Sequence, residues 1–90
     1  MPPQLTYGQL HDLMSDVHHL STTVDVFAFD LDGMSPAQTK ELVRAAARLA
    51  QGIHQLSMQR QHWAASPSTL ALIDEALQEG SAMMARVSSS

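Results

Sequence analysis

The sequence predicts an all-α protein, an antiparallel helical hairpin plus a third helix in an up-down-up bundle, elongated and self-associating. Three observations predict it. Apolar residues recur at alternating spacings of three and four over long stretches, the period of one helical face. Ser-Pro pairs at Ser35-Pro36 and Ser66-Pro67 mark two helix restarts, with serine as cap and proline at the first helical position. The only strand-like run, residues 22–31, has no second run in the chain to pair with.

The first helix is expected to begin at Thr6-Tyr7-Gly8-Gln9, a capping box in which the threonine hydroxyl accepts from the third helical amide and the glutamine reaches back. From there Leu10, Leu13, Val17, Leu20, Val24, Phe27 and Leu31 form one narrow apolar stripe. Gly33 suits the left-handed residue just past a helix end. Thr22, Thr23, Val24, Val26, Phe27 and Phe29 have strand-favouring side chains, so a strand over 22–31 is the rival reading.

The second helix repeats the spacing through Leu42, Ala46, Leu49, Ile53, Leu56, Arg60 and Trp63. Ala45, Ala46, Ala47, Ala50 and Gly52 keep the neighbouring positions small, which lets another helix approach closely. A third, shorter helix has Leu70, Ile73, Leu77 and Met84 on its seam, is interrupted by Gly80 and frays after Val87. Residues 1–5 are read as an N-terminal tail, 6–87 as a single domain and 88–90 as a disordered tail. The first two helices would be about 26 and about 30 residues long, rods that a shorter third helix leaves partly uncovered. A two-fold dimer is the expected cover.

Composition removes several function classes. The chain has 90 residues and no cysteine, so disulfides, thiolate metal sites and cysteine nucleophiles are excluded. The start Met1-Pro2-Pro3-Gln4 lacks the basic and apolar regions of a signal peptide, and no window has the ~18 apolar residues of a membrane span; a cytoplasmic protein is expected. The net charge of −4 argues against direct nucleic-acid binding. Residues 1–39 hold Asp12, Asp16, Asp25, Asp30 and Asp32 without a base, whereas Lys40, Arg44, Arg48 and Arg60 follow in the next segment. The acidic first helix and the basic second helix are therefore expected to pair across the hairpin.

Val26-Phe27-Ala28-Phe29-Asp30-Leu31-Asp32-Gly33 resembles the signature of haloacid-dehalogenase-type phosphatases, apolar residues followed by D-x-D-G. The resemblance implies a nucleophile at Asp30 and a general acid/base at Asp32. It stops there, because Met34 stands where that family has threonine and the remaining chain has no room for the parallel sheet with its later lysine and acidic motifs. The same acids with Glu41 start an EF-hand spacing, but Ser35 replaces its sixth-position glycine and Met34 its fifth-position ligand. Both motifs are outweighed by a helix end running into a glycine turn.

Five histidines raise a metal-binding bundle as an alternative, yet no H-x-x-x-H or E-x-x-H pair occurs, so His11, His18, His19, His54 and His62 are read as solvated flanks. Arg60, on the seam beside Trp63, is expected near the open end of the hairpin, snorkelling beside Tyr7 or Asp12. Trp63 is read as a core anchor. Val26 and Phe29 point away from the seam, beside Thr22, where another subunit or partner is expected to dock. The reading is a small interaction or regulatory module that binds a partner protein as a homodimer, with no catalysis and no cofactor. Its contact residues are Thr22, Val26, Phe29, Arg60 and Trp63. A further alternative is an acidic inhibitor covering a basic site on a nucleic-acid-binding protein.

Overall fold

A computed structural model describes residues 3–28 and 32–88. Helix α1 runs Tyr7–Ala28, α2 Pro36–Gln59 and α3 Pro67–Ser88, with a 3₁₀ turn at Arg60–Trp63 closing the second connection. Each helix packs against the other two, and no strand occurs among the described residues. Residues 22–28, the described part of the strand-like run, are helical. The reason is local. Ser21, Thr22 and Thr23 donate their hydroxyls to the carbonyls of Val17, His18 and His19, one helical turn back, at 2.7, 3.0 and 3.1 Å. The helix thus leaves these hydroxyls satisfied, and it buries Val17 and Val24 on one face, which a strand without a partner could not do.

The cap signals at Thr6-Gln9 and Ser35-Gln38 form as expected. The Gln9 amide donates to Thr6 Oγ1 at 3.2 Å while the Thr6 amide donates to Gln9 Oε1 at 3.0 Å. Ser35, in extended backbone before Pro36, makes the same reciprocal pair with Gln38 at 3.2 and 2.9 Å. Each box satisfies amide donors that the first helical turn leaves without intrahelical acceptors.

The core is a column of leucine, isoleucine and valine: Leu10, Val17, Val24, Leu42, Leu49, Leu56 and Ile73, with Ala45 beside them. Residues 10, 17 and 24 on α1, and 42, 49 and 56 on α2, repeat every seven positions, so one line on each helix stays inside along its length. Burying each large side chain contributes roughly 1.5–3 kcal/mol. Directions follow from cross-contacts. Val17 meets Gly52 and Gln59 reaches Leu5, so α1 and α2 are antiparallel. His18 pairs with Glu79 and Asp25 with Arg86, so α1 and α3 are parallel. The topology is up-down-up. The molecule measures 46 × 20 × 18 Å with a radius of gyration of 14.2 Å, above the ~12 Å of a compact chain this long. No helix among the described residues is long and apolar enough to cross a membrane.

Four expectations change. The inner line of α2 is Leu42, Ala45, Leu49, Gly52, Leu56 and Gln59, so the expected Ala46, Ile53 and Arg60 are each displaced by one residue. With the smaller neighbour facing inward, α1 comes close enough for Val17 to sit on Gly52. Gly80 does not interrupt α3; it is buried where Ile53 packs, and that contact offsets its ~1 kcal/mol propensity penalty. In consequence α3 has 22 residues, as many as α1, against 24 in α2. Among the described residues the length mismatch that suggested a dimer is absent. Gly33 lies in a turn without positive φ, so it is not the expected left-handed helix-end residue.

Candidate functional site

Among the expected contact residues, Val26 stands out on α1 with 68% of its surface exposed. Thr22, one turn earlier, is exposed too. Phe29, with Asp30 and Leu31, lies outside the described residues. Asp32 of the phosphatase-like octapeptide is exposed in the turn after α1. Its Val26, Phe27 and Ala28 are helical, in the last described turn of α1.

Arg60 is displaced from its expected surroundings. Its Nε donates to Asp74 Oδ1 at 2.6 Å and its Nη2 to Oδ2 at 3.1 Å, a bidentate pair between the 3₁₀ turn and α3. The hydrogen bond to Arg60 holds the Asp74 carboxyl below its ordinary value, and the same bond followed by the carboxylate charge raises the guanidinium. Arg60 still follows the helical path of α2, its amide bonded to Leu56 O, and the inner line that takes Gln59 inside leaves residue 60 outside, where it meets Asp74. Trp63 is half-buried against the core, its ring edge-on to Tyr7 at 6.1 Å with 70° between planes. Its indole Nε1 is enclosed without an acceptor among the described residues. Neither residue adjoins Val26, so the expected contact set divides between two regions of the bundle.

Sequence reasoning missed Gln59. Buried to 3% exposure, its Oε1 accepts from the Leu5 amide at 2.9 Å and its Nε2 donates to the Pro3 carbonyl at 2.9 Å. The side chain thus imitates a backbone bridge and pins the segment before α1. Its signal was present in the register 42, 45, 49, 52, 56, 59, which places residue 59 on the inner line.

The charge pattern is also redistributed. Among the described residues no ion pair joins α1 to α2. His18 Nδ1 lies 2.7 Å from Glu79 Oε1, and Asp25 pairs with Arg86, so α1 is tied to α3 instead. Lys40, Arg44 and Arg48 make no ion pair among the described residues and follow one another at single-turn intervals on α2. No three His, Asp or Glu side chains gather as a metal site among the described residues.

Along the outside of the hairpin, α1 and α2 enclose a groove of about 420 Å³. Leu13, Leu20 and Gly52 line its depth, with Asp16 and His19 on the α1 wall and Arg48, Gln51 and Gln55 on the α2 wall. It continues past Thr23 and Arg44 toward Glu41, with no α3 residue lining it. A surface of this kind, apolar at depth and charged at its rims, has the composition of a protein contact. Compared with protein-family models, curated proteins and solved structures, the chain matches none.

Proposed function

We propose that this protein is a helical interaction module that works by binding a partner protein, with the outer face of α1 at Thr22 and Val26 as the contact. The observation that supports the reading is Val26 itself. A β-branched apolar side chain is held 68% exposed on a rigid helix, four residues from a threonine whose hydroxyl is already engaged with His18 O. Such a face presents apolar area with little conformational freedom left to lose on binding. Burying valine removes roughly 1.5 kcal/mol worth of apolar surface from water.

The test is quantitative affinity capture from the native host with the wild-type chain and with Val26→Asp, alongside circular dichroism. The reading expects at least one protein captured by the wild type to be lost from the equally helical variant. An identical captured set with both proteins sinks this assignment of the face.

A further inference from the structure

We infer that the α1–α2 groove is the contact face of a homodimer, occupied by a second copy of this chain lying antiparallel across a two-fold axis perpendicular to the helices. This goes beyond the partner-binding face at Val26 and rests on different residues. Asp16 lines the groove and Asp12 lies one turn before it on the same side of α1. Arg48 and Arg44 line it from α2, also one turn apart. None of the four has an ion-pair partner among the described residues.

Their positions along the groove decide the geometry. Val17 is level with Gly52, and α2 runs opposite to α1, so the two acids occupy one end of the groove and the two arginines the other. Each pair spans ~6 Å at the helical rise, the same interval. A two-fold perpendicular to the helices exchanges the ends, bringing Asp12 and Asp16 on the α1 wall of one copy level with Arg44 and Arg48 on the α2 wall of the other, within reach of the long arginine side chains across the groove. A two-fold along the helices stacks acid on acid and base on base, which is repulsive. The axis passes near His19 and Leu20, and Leu13 and Leu20 of each copy then cover the half-exposed floor of the other. Lys40 and Glu41 flank the basic end and offset each other.

Area permits such a dimer. The long face of a 46 × 20 × 18 Å body presents ~800 Å², the contribution of one partner to a standard-sized interface. Isologous contacts of this type need a self-complementary patch, and the groove is one.

The experiment is solution mass by sedimentation equilibrium on the 9.8 kDa chain, at low and high salt, with circular dichroism on every variant. The wild type is expected at twice the chain mass, with its dissociation constant rising with salt. Arg44→Asp with Arg48→Asp, and separately Asp12→Arg with Asp16→Arg, each weaken the dimer by ~tenfold or more; mixed in equal amounts, the two variants pair with each other. A monomeric wild type, or reversed variants that stay dimeric, overturns the inference. If one variant loses helicity, the salt dependence and the other variant still decide. Val26→Asp keeps the dimer mass, so loss of a captured partner and loss of the dimer are separate outcomes.

Discussion

A Cβ added to Gly52 would lie 2.8 Å from Cγ2 of Val17, closer than two carbons can approach without something moving. Val17 is fully buried and, being β-branched in a helix, has almost no alternative rotamer. The glycine therefore sets how near α1 and α2 come, and it sits halfway along the inner line of α2.

The first prediction is a double-mutant cycle on this contact. Gly52→Ala gains up to ~1 kcal/mol of helix propensity but meets an overpacking cost of ~1–3 kcal/mol, a net loss. In a Val17→Ala background the obstructing methyl is gone, and the same substitution becomes neutral or stabilising. Gly8→Ala, with no atom within 4 Å of the added carbon, serves as the control that shows the propensity gain alone. Denaturant unfolding measures all of these; equal costs for Gly52→Ala in both backgrounds would rule the contact out as their cause.

Gln59 supports the second. Gln59→Leu keeps an inward-facing side chain of similar bulk but removes both bonds to Pro3 and Leu5. The expected loss is about 1–3 kcal/mol, together with fast hydrogen exchange at the Leu5 amide while the central amides of α2 stay protected. If the Leu5 amide exchanges at the wild-type rate in the variant, the bridge is not what orders this segment.

A third prediction follows from the Arg60–Asp74 pair. The folded state holds Asp74 below its ordinary value of 3.8, so the unfolded chain binds the proton first. The contribution to stability is present above that value and is lost as pH falls through the lower folded value. Asp74→Asn should melt slightly below the wild type near neutral pH, with the gap closing as pH drops beneath 3.8. Melting temperatures measured across pH 2–7 check it (about five half-unit or unit steps suffice to see the closure). A gap that stays constant with pH would assign the difference to something other than this carboxylate.

What could be read in the sequence is what short-range physics controls. The boxes at Thr6-Gln9 and Ser35-Gln38 satisfy amides within a single turn, and the seven-residue recurrence of Leu10, Val17 and Val24 marks an inner line whatever packs against it. Helix existence, the starts of the first two helices and the all-α class follow from those, and Ser66-Pro67 marks the start of the third. The outward position of Val26 followed as well, since it depends on angle around one helix.

Choices between adjacent residues were settled by the neighbouring helices. Ile53 and Gly52 differ by ~100° around α2, and a sequence pattern favours the larger apolar residue of the pair. The bundle places the smaller one inward, because backbones that approach closely gain contact along the whole helix, and Ile53 then finds its hole at Gly80. The same rotation carries Gln59 inside to hold Pro3 and Leu5, and leaves Arg60 outside to meet Asp74. Ion pairing followed suit: α1 turns His18 and Asp25 toward α3, so its partners are Glu79 and Arg86, 61 residues away in sequence. Periodicity shows that a helix has an inner face; only the distance to its neighbours decides which residues stand at the centre of it.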